Sequence, residues 1–219
     1  MSVRSSAGGA QGMKELVVAT RNRGKLNEIR AFLSGVVERV SCASDFEGFP
    51  ETVEDGATFE QNALKKAREA MRFTGLPALA DDSGLVVDAL DGRPGVLSAR
   101  FSGEEGGDGA NNRKLLEEMG GMPPQGRGAA FVCALAYVTP DGGERLFFGR
   151  VGGRILEQER GEGGFGYDPL FLVDGFQRTM AELGMEEKNG ISHRGEALRG
   201  FREYLCGCPG FCGAGEGQE

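Results

Sequence analysis

Two carboxylates stand side by side in this chain, Asp81 and Asp82, followed by Ser83 and Gly84, with Glu51, Glu54 and Asp55 upstream. Adjacent carboxylates repel one another, an arrangement favoured where a cation sits. Mg2+ suits such a pair, because it takes one or two carboxylates and leaves its other positions to water and phosphate oxygens. An exposed acidic turn would have the same composition. A second candidate is Thr20-x-Asn22-x-x-Lys25. Backbone N–H groups at a helix start, Lys25 as a mobile cation and Thr20 and Asn22 as hydrogen-bond donors suit a triphosphate tail. The run is not a P-loop, since Ala19 stands where that motif needs Gly and Leu26 where it needs Ser or Thr. Taken alone, it is equally a polar turn with a solvated lysine.

The segment Gly161-x-Gly163-Gly164-Phe165-Gly166-Tyr167-Asp168-Pro169 formally contains the dinucleotide fingerprint, which must open a helix. Pro169 and the apolar LFLV after it block a helix, so a Rossmann reading fails. Glycine-rich backbone beside Phe165 and Tyr167 instead suits a flat base lying on an aromatic face. Further on come Glu187-Lys188-Asn189 and Ile191-Ser192-His193-Arg194. His193 is the only histidine, which excludes a catalytic His pair and a His-rich metal site. A lone histidine is as readily a satisfied hydrogen-bonding residue as a ligand contact. Arg194 offers five donors in a planar fork, although at a helix start it would otherwise be a surface charge. The terminal Cys206-x-Cys208-Pro209-x-x-Cys212 supplies three thiolates and no nearby histidine, an incomplete zinc tetrahedron.

The elements that must position these residues alternate along the chain. LVVAT (16–20) is a short buried-strand run, followed by a polar turn and by Leu26, Ile29 and Leu33 at helical spacing. Thr58 and Gln61 form a capping-box signal for a helix through residues 59–73. LPALA leads into the acidic DDSG turn and then LVVDAL, a buried strand interrupted by that turn. NNRKLLEEM reads as a helix, and residues 129–156 read as a long hairpin around TPDGGE. HRGEALRGFREYL closes the fold as a helix. One crossover and one hairpin together imply an α/β fold on a mixed sheet.

The 219 residues fit one domain with a substantial core. Residues 13–205 form that domain, with a disordered leader at 1–12 and a loose tail at 206–219, both too poor in apolar periodicity to pack. A net charge of −8 argues against a general nucleic-acid binder, which needs a basic face, but leaves room for a small nucleotide in a locally basic pocket. No signal peptide or apolar run of membrane length is present. Five unevenly spread cysteines do not look like a disulfide framework, so the expected location is cytoplasmic.

Five blocks occur in this order: VVATRNRGK, TFEQNALKKA, ALADDSGLVVDALDGRPGVLSARFSG, GGFGYDPLF and EEKNGISHRGEAL. In this register the chain resembles the inosine triphosphate pyrophosphatase family, noncanonical purine nucleoside triphosphate pyrophosphatases acting on ITP, dITP and XTP. The resemblance spans about Leu16 to Leu205. It implies an elongated mixed β-sheet flanked by helices, two lobes with a central nucleotide cleft, and a homodimer. It also implies Mg2+-dependent hydrolysis between the α- and β-phosphates, giving a monophosphate and pyrophosphate. By resemblance the Thr20, Arg21, Asn22, Arg23, Gly24 and Lys25 loop binds phosphates, Asp82 is the catalytic and metal-binding aspartate, and Ser83 contacts substrate. Phe165, Gly166, Tyr167 and Asp168 match the base-binding segment, Lys188 a nucleotide-contacting lysine, and His193 and Arg194 the base-reading pair. Asn62, Lys66 and Asp81 also fall in the matched blocks. Where many relatives carry two adjacent glutamates, this chain has Val53, Glu54 and Asp55 before Gly56, and Glu54 is the candidate second metal carboxylate. A nucleotide-binding regulator would share the phosphate loop and base pocket. It gains nothing from extra negative charge beside phosphates unless a metal bridges them.

Overall fold

A computed structural model describes residues 13–103 and 105–207. The expected leader, and the expected tail beyond residue 207, lie outside the described residues. Six strands form one open sheet in the order β2-β1-β3-β4-β5-β6: β1 (Met13–Val18), β2 (Val37–Cys42), β3 (Ala78–Val87), β4 (Gly128–Val138), β5 (Glu144–Ile155) and β6 (Phe171–Val173). β1 is parallel to β2 and β3, whereas β3 to β6 pair antiparallel, so the sheet is mixed. The parallel pairings follow from crossovers through α1 (Arg23–Leu33) and α2 (Phe59–Thr74), and the β4–β5 pairing from a tight hairpin. Helices α3 (Gly107–Glu118), α4 (Met185–Ile191) and α5 (His193–Gly207) complete the fold. β2, β6 and α4 carry no clear periodicity in the sequence, being short and at the sheet's edges or between loops.

Local signals fix the helix ends. Asn22 caps α1 by accepting the Lys25 N–H at 3.0 Å. Thr58 accepts the Gln61 N–H at 3.3 Å, Gln61 reaches back to the Ala57 N–H at 2.8 Å, and α2 ends at Gly75 in the left-handed region, φ +70°.

One expectation is overturned. DDSG is not a turn that interrupts a strand: β3 runs unbroken through it, with Asp81 opposite Leu135 and Asp82 opposite Ala134 of β4. Strand alternation sends the two side chains to opposite faces, where each finds its own cationic side chain, so they form neither an exposed acidic turn nor a pair that repels across one site. On one face Leu16, Val18, Leu79 and Leu135 pack beneath Ile29, Leu198 and Phe201 of α1 and α5. On the other, Ala80, Ala134 and Ala136 meet Ala63 and Ala67, small residues that bring α2 close to the sheet. A further cluster, including Leu85, Leu115, Phe131 and Phe171, fills the far end. Cys42 and Cys133 are buried and free, while Cys206 is disulfide-bonded. Among the described residues no helix is long and apolar enough to cross a membrane.

Candidate active site

On the α2 face, Lys66 projects from the alanine-lined helix and its ammonium donates to Asp82 Oδ1 at 2.9 Å and to Glu54 Oε1 at 2.8 Å. Arg100 donates to the Glu54 carbonyl at 2.8 Å, and Asn62 accepts the Gly56 N–H at 2.8 Å, so the 54–56 segment is held against the start of α2. Burial pushes the Asp82 carboxyl above its ordinary range, with Lys66 opposing and Glu54 adding to the shift. Burial also disfavours the Lys66 ammonium, but Asp82 and Glu54 outweigh it and keep the cation charged. Asp82 Oδ2 is buried with no hydrogen-bond partner among the described residues. A buried carboxylate oxygen with an open coordination position is what a metal ligand requires. Among the described residues no group of three or more acidic, histidine or cysteine side chains is placed to bind a metal by itself, and the carboxylate that shares Lys66 with Asp82 is Glu54. That set fits Mg2+, which draws most of its ligands from water and phosphate.

On the opposite face, six buried or half-buried charges alternate in sign. Lys25 pairs with Asp81, Asp81 with Arg194 at 2.9 Å, Arg194 with Glu28, Glu28 with Lys188 at 2.9 Å, and Lys188 with Asp168 at 2.7 Å. Arg194 also donates to Ser83 Oγ at 2.9 Å, and the Cys133 thiol to Asp81 Oδ2 at 3.1 Å. Burial alone would raise the Asp81 carboxyl, but Arg194 and then Lys25 hold it well below the usual range. Asp168 is raised by burial, against the pull of Lys188.

Two adjoining cavities share Asn22, Lys25, Ser83 and Ala99. The first is lined by Thr20, Arg21, Glu54, Lys66, Asp81 and Asp82, which is polar chemistry suited to phosphates. The second holds Phe131, Phe165, Tyr167, Lys188, His193 and Arg194. There the Lys188 ammonium lies 4.7 Å and the Arg194 guanidinium 5.7 Å from the Phe165 ring centre. Phe165 packs so closely on Gly24 that a Cβ at that position would lie 2.6 Å from the ring. His193 stacks on Phe131 at 5.0 Å, and burial, helped by Arg194, lowers its pKa well below the ordinary value, so it is neutral. Its Nδ1 has no partner among the described residues.

Most residues singled out in the sequence therefore converge; Asp55 instead pairs with Lys65, and Gly24 takes part by packing against Phe165 rather than by lining a cavity. Arg23 is exposed at the start of α1 and lines neither cavity. Tyr167 is buried with its hydroxyl donated to the Ser98 carbonyl at 2.9 Å, and Arg21 braces the Phe49 carbonyl at 3.2 Å. Sequence reasoning missed Glu28. Nothing marks it except a carboxylate three residues after Lys25, on a helix whose neighbouring Leu26 and Ile29 are buried.

The Ham1 family model matches residues 16–204. The dITP/XTP pyrophosphatase of Geobacter sulfurreducens is 58% identical over 193 residues, covering 88% of this chain and 97% of that protein. The dITP/XTP pyrophosphatase of Desulforamulus reducens is 52% identical over 191 residues, covering 87% and 95%. Among solved structures, the Ham1 protein of Staphylococcus aureus superposes with a TM-score of 0.79 at 40% identity, covering 89% of this chain and 99% of that one. A HAM1 protein from Coxiella burnetii gives 0.81 at 40% identity, covering 90% and 100%.

Proposed function

This chain belongs to the Ham1 family, and from that premise we propose that it is a Mg2+-dependent pyrophosphatase for noncanonical purine nucleoside triphosphates such as ITP, dITP and XTP. It releases the nucleoside monophosphate and pyrophosphate, and it works as a cytoplasmic homodimer that cleanses the nucleotide pool. The observation that carries the reading is the pair of adjoining cavities. One brings Arg21, Lys25 and Lys66 together with carboxylates, one of which has an open oxygen, and the other is aromatic and rich in hydrogen-bond donors.

A triphosphate resists attack because its oxygens repel a nucleophile, so the protein's task is neutralisation and placement. Lys25, at the start of α1, and Lys66 bring two ammonium groups to the phosphate end, and Asn22 and Thr20 fix the loop by capping. Asp82 and Glu54 would hold Mg2+, which when bound neutralises phosphate charge and stabilises the leaving pyrophosphate. The Asp82 carboxylate orients a water toward the α-phosphorus and accepts its proton as the new P–O bond forms and the bond to the bridging oxygen breaks.

At the other end the base lies against Phe165. Three of the five N–H donors of Arg194 are taken by Asp81, Glu28 and Ser83, which leaves two for a ligand. These and the Lys188 ammonium match a keto oxygen at C6, as in hypoxanthine and xanthine. Adenine would set its amino group against buried donors, which is strongly unfavourable.

The competing reading, a regulator that holds nucleotide without hydrolysing it, has no use for the open Asp82 oxygen. Incubation of ITP and ATP with Mg2+ and assay of released pyrophosphate separates the two. Pyrophosphate from ITP, well ahead of ATP, is expected; tight ITP binding without turnover would support the regulator.

A further inference from the structure

We propose that helix α3 sets the base end of the cleft, with Asp108 and Asn112 as positioning residues that grip the Gly166 peptide from both sides and so fix Phe165 and Asp168. The inference rests on the function above only for the identity of the ligand. The Gly166 N–H donates to Asp108 Oδ2 at 2.7 Å, and Asn112 Nδ2 donates to the Gly166 carbonyl at 3.2 Å, bonds that span 58 and 54 residues. Asp108 and Asn112 are four apart, so they leave the same face of α3 one turn from each other. Gly166 sits at φ +61°, a turn conformation that positions the flanking Phe165 and Tyr167 but has to be held in place.

The grip extends to a second strip of wall. Asn111 donates to the carbonyls of Ser98 and Ala99 at 3.4 and 3.1 Å, and the Ser98 carbonyl also accepts the Tyr167 hydroxyl. α3 thereby ties the base loop to the segment that forms the opposite rim, and Asp108 and Asn111 themselves line the aromatic cavity. The buried residues of α3 are Asn111, Asn112 and Leu115. A helix that buries two asparagines beside one leucine is attached at this end by directed hydrogen bonds rather than by an apolar stripe. Loosening it should let the Phe165 ring leave its place over Lys188 while Asp82 and Lys66, on the other face of the sheet, stay as they are.

The test compares Asp108→Ala with Asp108→Asn, whose amide keeps an acceptor oxygen. In the nucleotide-free protein, amide hydrogen exchange at Gly166 should quicken by about tenfold or more in the alanine variant and stay close to wild type in the asparagine variant. In steady-state assays with ITP the alanine variant should raise KM by about tenfold with kcat within about twofold, and asparagine should restore KM. Unchanged Gly166 exchange overturns the proposal, as does a fall in kcat at constant KM or an asparagine variant no better than alanine. If the wild type does not hydrolyse ITP, the proposed function fails, and the exchange measurement still decides the clamp. Should Asp108→Ala fail to fold, Asn112→Ala removes the other half of the grip and is held to the same exchange and KM outcomes.

Discussion

Replacing Arg194 by alanine should cost stability as well as base recognition, because the side chain is 2% exposed and lies between two buried carboxylates. The connected charges are Lys25, Arg194 and Lys188 against Asp81, Glu28 and Asp168, three of each sign. Alanine leaves one negative charge uncompensated in the interior. Removing one partner of a buried pair costs about 3–5 kcal/mol, a large share of the roughly 5–15 kcal/mol that holds a domain together. Urea unfolding should register this loss. A second substitution, Glu28→Ala, removes one of the stranded carboxylates, so the double variant should be more stable than the sum of the single losses predicts, by about 1–3 kcal/mol. In kinetics, loss of a charged hydrogen bond to the base corresponds to about 1.5–3 kcal/mol, so kcat/KM for ITP should fall by roughly tenfold to a few hundredfold, and for ATP much less. A stability loss under about 1 kcal/mol, or strict additivity with Glu28→Ala, would refute the buried-counterion argument. Equal losses for ITP and ATP would show that Arg194 serves Asp81 and Ser83 rather than the base.

Asp82→Asn should abolish turnover and leave the fold intact, since the amide keeps the Lys66 contact but neither binds Mg2+ well nor accepts a proton; activity within about tenfold of wild type would contradict this. Gly24→Ala sets a methyl 2.6 Å from Phe165, and the ring must yield. Overpacking of about 1–3 kcal/mol should show in urea unfolding, and the displaced ring as a rise of about fivefold or more in KM for ITP; an unaltered KM would show that Phe165 moves freely. His193 has a folded pKa below its unfolded value of about 6.5, so the unfolded chain binds the extra proton and stability falls as pH drops below about 6.5, by up to about 1.4 kcal/mol per unit. Because it is the only histidine, His193→Gln should flatten the stability curve between about pH 6.5 and 5.5, and an unchanged slope would place the titration elsewhere.

Local signals were legible where the chemistry of an element is complete in its own residues. The Thr58–Gln61 cap, the helical spacing from Leu26 to Leu33 and the β4–β5 hairpin could all be read directly. The convergence of Asp82, Lys25, Phe165 and Arg194 followed from ordered blocks, each weak alone. What stayed hidden depends on pairing across the sheet. Asp81 and Asp82 read as one acidic turn because composition does not reveal that strand alternation sends them to Arg194 and Lys66 on opposite faces. Glu28 meets a partner 166 residues away, and Asp108 one 58 residues away, separations over which no sequence period operates. Arg23 was drawn in by its neighbours in the loop, although a helix start turns successive side chains in different directions.

Hydrolysis of ITP with Mg2+ in heavy-oxygen water, followed by mass spectrometry of the products, tests the central claim most directly. A water placed by Asp82 on the α-phosphorus puts one heavy oxygen on inosine monophosphate and none in pyrophosphate. Label in pyrophosphate, release of inorganic phosphate in its stead, or no turnover of ITP would contradict the account.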